Sequence, residues 1–219
     1  MAVFFLSGAA GRAGTEKDRL VIDDFEEAPE GALPPGWTLR KEFWRFGAKG
    51  PQVLAVRREN GNKYLAADSK DDSSTAGKPF SYDLSRYRFL SWRWRVRLLP
   101  KGGDERRKAS NDSAAGLYVC FNGFAKLPYC LKYVWSSTVP AGTVLPSPHR
   151  KATKIVVLRS GPEGLGAWKT EKRDVYADYL KIFGEKKIKN PVGIAVLTDS
   201  DDTRSAAAAD YDDIAVSVR

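Results

Sequence analysis

The patterned part of this chain opens on Val21-Ile22-Asp23-Asp24-Phe25-Glu26 and closes on Tyr211-Asp212-Asp213-Ile214-Ala215-Val216-Ser217-Val218. Each stretch joins a short apolar strand pattern to a carboxylate cluster. First and last strands often pair in β-sandwiches, and such pairing would bring Asp24, Glu26 and Asp213 together. Because close carboxylates repel each other unless a hard cation or a basic residue lies between them, these three are candidate ligands of a structural calcium ion. We expect no other cofactor.

Strand patterns recur along most of the chain, and clusters of Gly, Pro, Asn, Asp and Ser separate them. Many short strands with such punctuation predict an all-β fold, an antiparallel β-sandwich of jelly-roll type, in one domain over residues 20–219. The predicted strands are Val21–Phe25, Val53–Arg57, Lys63–Ala67, Phe89–Leu98, Leu117–Asn122, Leu131–Trp135, Lys154–Ser160, Gly193–Thr198 and Ile214–Val218.

One short α-helix is predicted near residues 174–183, where aromatic residues and a leucine recur at helical spacing before Gly184. The alanine run Ala206–Ala209 is expected in a loop. Residues 1–19 are expected outside the fold, either as the remnant of a secretory signal peptide or as a disordered extension. No stretch reaches the roughly 18 apolar residues that a membrane-spanning helix needs.

Two cysteines, Cys120 and Cys130, lie in strand patterns that form a predicted hairpin centred on Ala125. Directly opposed residues of a hairpin fall within the span of a disulfide, so the pair is either bonded or consists of two packed free thiols. A disulfide would fit an oxidising compartment, which favours a periplasmic or extracellular location.

The formal net charge of +9, from 36 basic and 27 acidic residues, favours anionic partners such as an acidic polysaccharide. The basic residues are scattered, and no run of them resembles a nucleic-acid arm. A solvated basic surface is the alternative interpretation.

The most regular stretch is Ser91-Trp92-Arg93-Trp94-Arg95-Val96-Arg97. Alternate residues of a strand face opposite sides, so the apolar residues from Leu90 to Leu98 form a core face and Arg93, Arg95 and Arg97 form the other face. By the same alternation, Tyr118 and Lys132 face away from the core. If these strands are neighbours, the five polar residues would line a groove for an anionic glycan, because guanidinium groups bind carboxylate or sulfate bidentately. The alternative is a structural ladder that pairs with acidic residues of the sheet.

Two acidic segments are weaker candidates for a site. Glu105 and Asp112 could form a carboxylate pair for glycoside cleavage, or a salt-bridge network with Arg106 and Arg107. The loop from Asp199 to Asp202 offers oxygen ligands for calcium, although it lacks EF-hand spacing, and a solvated loop is its alternative.

Motifs of the common catalytic classes are missing from the sequence. His149 is the single histidine, which excludes a histidine-rich metal site. There is no nucleophile elbow, no Walker-type phosphate loop and no dinucleotide fingerprint. These absences favour binding over catalysis.

One set of stretches carries a resemblance to a known family: Asp23-Asp24-Phe25, Pro35-Gly36-Trp37, Leu90–Val96, Asp104-Glu105-Arg106, Asn111–Ala115, Tyr133-Val134-Trp135, Trp168, Arg173-Asp174-Val175, Phe183-Gly184, Thr198–Thr203 and Tyr211–Ile214. On these stretches the chain resembles an uncharacterised bacterial family, domain of unknown function 3047, over roughly residues 20–219. That resemblance implies bacterial origin and export but no activity. More loosely, Asp24, Glu26 and Asp213 resemble the calcium-holding positions of galactose-binding-like jelly rolls that bind carbohydrate.

Together these features predict an exported, non-catalytic, carbohydrate-binding-like module for an envelope or extracellular glycan. A glycan-processing enzyme that uses rim carboxylates is one alternative, and a structural protein-interaction module of the cell envelope is another. We expect no specific nucleic-acid partner.

Overall fold

A computed structural model describes residues 18–39, 53–122, 128–184 and 188–219. The strands are β1 (Arg19–Asp23), β2 (Thr38–Leu39), β3 (Val53–Glu59), β4 (Asn62–Lys70), β5 (Ser73–Pro79), β6 (Phe89–Leu98), β7 (Ala115–Asn122), β8 (Pro128–Ser136), β9 (Val144–Pro146), β10 (Thr153–Ser160), β11 (Lys169–Asp174), β12 (Pro191–Asp199) and β13 (Ala206–Ser217), and the helix is α1 (Val175–Phe183). Residues 1–17 and the predicted hairpin tip at Ala125 lie outside the described ranges.

The predicted β-sandwich is confirmed as two stacked sheets. The first sheet has the order β11-β6-β13-β4-β3, with β1 also pairing with β13, and the second has the order β2-β5-β12-β7-β8-β10-β9. Pairing is antiparallel throughout these ranges except between β8 and β10, which run parallel. One core of buried side chains fills the space between the sheets.

Strand β6 shows how the sequence pattern builds the first sheet. Its alternate residues Leu90, Trp92, Trp94 and Val96 are fully buried, as their alternation predicts. Leu98, the last residue of the strand, departs from this pattern with 47 % exposure, and it follows a register shift between β6 and β13. The two tryptophans pack edge to face with ring centroids 5.3 Å apart, an arrangement that aromatic rings favour.

The first and last strands pair as predicted, with Val21 opposite Ala215. The run Ala206–Ala209 was expected in a loop, and that expectation is wrong. It begins β13, lies between β4 and β6, and buries Ala207, Ala208 and Ala209. Alanine has low strand propensity, but a crowded central position selects small side chains, so packing overrides propensity here.

The helix is confirmed close to its predicted range. The Asp174 side chain caps its N-terminus by accepting a hydrogen bond from the Ala177 N–H (2.9 Å), and Gly184 ends it with a positive φ of 64°. Tyr179 of the helix is fully buried against Phe121 of β7, so α1 closes one end of the sandwich. None of the helices in the described ranges is long and apolar enough to cross a membrane.

Candidate functional site

Carboxylates of neighbouring strands pair with every member of the arginine ladder, which we define as Arg93, Arg95 and Arg97. Asp210 of β13 lies between Arg95 and Arg97 with its side chain only 1 % exposed. The N–O distances are 2.5 Å for Arg93–Asp212, 2.6 Å for Arg93–Asp213, 2.8 Å for Arg95–Asp210, 2.7 Å for Arg95–Glu59, 3.0 Å for Arg97–Asp210 and 2.6 Å for Arg97–Asp68.

Aromatic rings cover part of the same ladder. The Trp168 ring centroid lies 5.2 Å from the guanidinium carbon of Arg93 and 4.8 Å from that of Arg95. Guanidinium groups that already donate to carboxylates and stack on an indole have few free N–H groups for an anionic ligand. The arrangement is therefore that of the structural ladder and not of an open anion groove.

Tyr118 and Lys132 do not join the arginine ladder, and the expectation of one shared face is wrong. They lie opposite each other on β7 and β8 of the second sheet, whereas the ladder lies on β6 of the first. Both do face away from the core, as the alternation predicts. The ladder and the Tyr118–Lys132 pair therefore occupy the outer faces of different sheets.

Half of the outer face of the second sheet is a flat floor of small residues around Tyr118. Gly77, Ala195 and Tyr118 stand side by side on β5, β12 and β7, and all three are half-buried. The other half, over β8 and β10, is covered by the chain between β8 and β10. The buried residues of that covered half are Val134, Val139, Ile155 and Val157. The floor therefore ends at this covered half, which we call the wall. Lys132 lies at the boundary between the floor and the wall.

Gly116 lets the Lys132 side chain cross β7. A Cβ atom at Gly116 would lie 3.1 Å from Lys132 Cε, so a larger residue would crowd the lysine. The ammonium of Lys132 reaches Ser113 Oγ at 3.3 Å, and the residue is only 2 % exposed. The missing side chain at Gly116 thus creates the channel in which a buried lysine reaches the end of the sheet.

A cluster of buried charges surrounds the Lys132 ammonium. Burial by itself would lower the pKa of Lys132, but Tyr118, Asp199 and Glu105 together raise it above its ordinary value. Burial raises the pKa of Asp199 well above its ordinary range, Lys132 opposes that shift, and Asp201 and Asp112 add to it. Buried titratable groups with specific charged neighbours are typical of functional sites, so this end of the second sheet is the candidate site.

Glu105 and Asp112 lie close to this site but are closed to a substrate. Glu105 is fully buried and accepts hydrogen bonds from the hydroxyls of Ser113 (2.8 Å) and Ser136 (2.5 Å). Asp112 is also fully buried and accepts from the Thr203 backbone N–H at 2.7 Å. The alternative in which Glu105 and Asp112 form a salt-bridge network with two arginines is wrong, because Arg106 and Arg107 pair with Asp104.

The acidic loop after β12 folds over Asp112. Asp112, Asp201 and Asp202 each place a carboxylate oxygen within 4.8 Å of the others. His149 lies beside them, with its Nε2 atom 2.6 Å from Asp202 Oδ2. Burial raises the pKa of Asp112, the hydrogen bonds from Thr203 and Asp202 oppose that shift, and Asp201 adds to it.

The three bracketing carboxylates do not meet. Asp213 pairs with Arg93, Glu26 accepts a hydrogen bond from the Lys63 N–H at 2.8 Å, and Asp24 accepts from the Glu26 N–H at 3.4 Å. In the described part of the chain they form no group of oxygens within 4.8 Å of one another. The strands pair as expected, but each carboxylate turns to a different partner, so the geometry offers no support for calcium there.

The cysteines are bonded. Cys120 and Cys130 stand directly opposite each other on β7 and β8 and form a disulfide with a Cα–Cα distance of 4.2 Å. This confirms the bonded alternative. The disulfide lies next along the strands from the Tyr118–Lys132 pair, so it ties together the two strands that carry that pair.

Sequence reasoning missed the burial of Asp199 and the electrostatic interaction of its carboxylate with the Lys132 ammonium. One signal was present: Asp199 follows Leu197 at a spacing of two, which places both on the outer face of β12. What the sequence cannot indicate is that Ser113 and Asp199 meet, with the Asp199 N–H donating to the Ser113 carbonyl at 3.0 Å.

Three comparisons place this chain among known proteins. No curated protein matches it. Among solved structures it is similar to the family 12 xyloglucanase from Bacillus licheniformis in complex with ligand, at 10 % identity over 80 % of this chain and 90 % of that chain, with a TM-score of 0.48. It is similar to CBM27-1 of Caldicellulosiruptor saccharolyticus in complex with mannohexaose, at 11 % identity over 93 % and 99 % of the two chains, with a TM-score of 0.46.

A further similar structure is the family 30 carbohydrate-binding module of a cellulosomal cellulase of Clostridium thermocellum, at 12 % identity over 79 % of this chain and 90 % of that chain, with a TM-score of 0.44. The family model that matches covers residues 36–215 and is described as a protein of unknown function, DUF3047. Three of the stretches that resemble this family meet at the candidate site, because Glu105, Asp112 and Asp199 come from separate stretches. Since the family model matches more than half of the chain, the chain belongs to the DUF3047 family.

Proposed function

We propose that this protein binds an uncharged carbohydrate on the outer face of the second sheet, beside Tyr118. The observation that carries the proposal is the half-buried Tyr118 on a floor made by Gly77 and Ala195, next to the wall over β8 and β10. An aromatic side chain beside a few fixed polar groups is typical of ligand binding. Tyrosine supplies both an apolar ring face and a polar tip.

The charges at hand favour an uncharged ligand over an anionic one. The arginine ladder is already paired, and Lys132 is buried against Asp199 and Glu105. The proposal therefore keeps Tyr118 as the residue that contacts the ligand and leaves out the three arginines. Lys132 is a buried neighbour, with its ammonium 5.5 Å from the Tyr118 ring centroid.

Replacing Tyr118 by alanine tests the proposal. In a glycan-array screen followed by calorimetric titration, the full chain should bind an uncharged polysaccharide equally well at low and high salt. Tyr118→Ala should weaken that binding about tenfold, the equivalent of about 1.4 kcal/mol. Tyr176→Ala is the matched control, since Tyr176 is also half-buried but lies on α1 and stacks on Arg88.

Two results would contradict the proposal. Salt-sensitive binding confined to acidic glycans would show that charge and not the tyrosine floor recognises the ligand. Capture of one envelope protein with no glycan bound would favour the protein-interaction module. The alternative of a glycan-processing enzyme would use Glu105 and Asp112 or the loop from Asp199 to Asp202. The closure of Glu105 and Asp112 by hydrogen bonds gives the first of these options no added support.

We also propose that the protein is exported to the periplasm or the cell surface. The Cys120–Cys130 disulfide supports this, because such bonds persist in oxidising compartments and are rare in the cytosol. Trapping of free thiols in protein taken from its native cells provides the test. Alkylation of both cysteines without prior reduction would contradict export.

A further inference from the structure

Three carboxylates from distant parts of the chain converge at the end of the second sheet. Asp112 comes from the segment before β7, while Asp201 and Asp202 come from the segment after β12. Each offers an oxygen within 4.8 Å of the others, and among the described residues this is the one such group of acidic, histidine or cysteine side chains. Oxygen atoms at this spacing can share one bound cation whose ligand distances are about 2.3–2.6 Å.

Asp199 is a second and independent sign of a missing ligand. The residue is 8 % exposed, and its Oδ1 atom has no hydrogen-bond partner in the described structure. Its carboxyl group contacts that of Asp201 and lies in the field of Asp112, so it faces the same cluster. A buried polar atom without a partner costs free energy, and that cost disappears if an ion takes the position.

Negative charge gathers at this cluster on a protein that is basic as a whole. The carboxylates of Asp112, Asp201 and Asp202 lie together, Asp199 lies in their field, and the imidazole of His149 is 2.6 Å from Asp202. Carboxylate oxygens within 4.8 Å of one another repel each other. A divalent cation would relieve this repulsion, and an all-oxygen ligand set selects a hard ion.

The positions of the ligands are held before any ion arrives. Backbone N–H groups of Asp202 and Thr203 donate to the two oxygens of Asp112, at 3.2 and 2.7 Å. The acidic loop is therefore anchored on Asp112 itself. Such pre-organisation lowers the conformational cost of binding.

We propose that Asp112, Asp199, Asp201 and Asp202 bind a hard divalent cation of the calcium class at the end of the second sheet. This site is distinct from the bracketing set Asp24, Glu26 and Asp213. It is also independent of carbohydrate binding, because it stands on the carboxylates alone. The same oxygen donors would explain why the acidic loop folds over Asp112 and not away from it.

Calcium titration of the chelator-treated full chain tests the proposal. Isothermal calorimetry should detect one calcium ion per chain, and calcium at about ten times its Kd should raise Tm by roughly 3 °C. Asp201→Asn should weaken calcium binding at least tenfold, and because Asp201 is exposed this variant should fold. Asp24→Asn is the matched control and should bind calcium as the unmodified chain does.

Three outcomes would overturn the proposal. The unmodified chain could show neither heat nor a Tm change with calcium. Asp201→Asn could bind calcium as tightly as the unmodified chain. Loss of binding in Asp24→Asn with retention in Asp201→Asn would move the ion to the bracketing carboxylates. The Tm of each variant without calcium separates a loss of binding from a loss of folding.

Discussion

Gly116 is the residue on which the buried lysine depends. Its position on β7 faces outward, between Leu197 of β12 and Val134 of β8. An added Cβ would lie 3.1 Å from Lys132 Cε and 3.6 Å from Leu197 Cβ. The lysine is held by partners on its far side, so its stem has little freedom to move away.

Gly116→Ala should therefore lower the free energy of unfolding by about 1–3 kcal/mol, as overpacking does in other cores. Urea denaturation followed by tryptophan fluorescence measures this change. Gly77→Ala is the matched control on β5 of the same sheet, because its added Cβ would lie 3.6 Å from Ala195 Cβ, an ordinary contact. That variant should be neutral or gain up to about 1 kcal/mol. Equal losses in both variants would mean that crowding of Lys132 is not the cause.

Strands β6 and β13 form the central pair of the first sheet, and the arginine ladder joins them on their outer side. Asp210 accepts hydrogen bonds from Arg95 and Arg97 while its side chain is only 1 % exposed. Asp68 of β4 also pairs with two arginines, Arg57 and Arg97, but its side chain is 32 % exposed. The two aspartates therefore differ mainly in burial.

Asp210→Asn should lower the free energy of unfolding by about 3 kcal/mol, because it leaves two arginines facing a neutral group where solvent is excluded. Asp68→Asn should lower the free energy of unfolding by about 1 kcal/mol or less, since solvent screens an exposed ion pair. Both free energies of unfolding come from denaturation at the same pH and salt. A loss in Asp68→Asn as large as that in Asp210→Asn would show that burial of the ladder does not set its contribution.

At the scale of the whole molecule, the two sheets share one core, and their outer faces differ in charge and composition. The outer face of the first sheet is neutralised by its own carboxylates, and the outer face of the second carries the floor, the buried lysine and the acidic cluster. The Cys120–Cys130 disulfide joins the two strands that form the middle of this second face. The disulfide therefore stabilises the candidate site as well as the fold.

Replacing both cysteines by alanine should lower the free energy of unfolding by about 2–3 kcal/mol, the loop-entropy value for a closed loop of about ten residues. Thermal and urea denaturation of the oxidised protein and the double variant give this difference. A reducing agent should destabilise the unmodified protein by a similar amount and leave the double variant unchanged. Equal stability of the oxidised protein and the variant would contradict a stabilising role for the bond.

Periodicity and register were enough to predict several local features of this protein. The alternation in β6 predicts which face is core, the spacing before Gly184 predicts α1, and the hairpin register predicts that Cys120 and Cys130 stand opposite each other. These are properties of contiguous residues, and the physical preference that sets them acts within a few positions. The small and polar residues of β5 and β11 carry no such pattern, and their strands come from pairing with neighbours.

By itself the sequence determined the fold class, the family and which residues of β6, β7 and β8 face outward. Only the tertiary structure decided what those residues meet. Arg95 and Asp210 are 115 positions apart, yet they pair because β6 and β13 are neighbours, while β6 and β7 belong to different sheets. Strand order in a sandwich depends on packing between distant segments, which no local pattern records. For that reason the arginine ladder became part of the scaffold, and Lys132 and the aspartates became the candidate site.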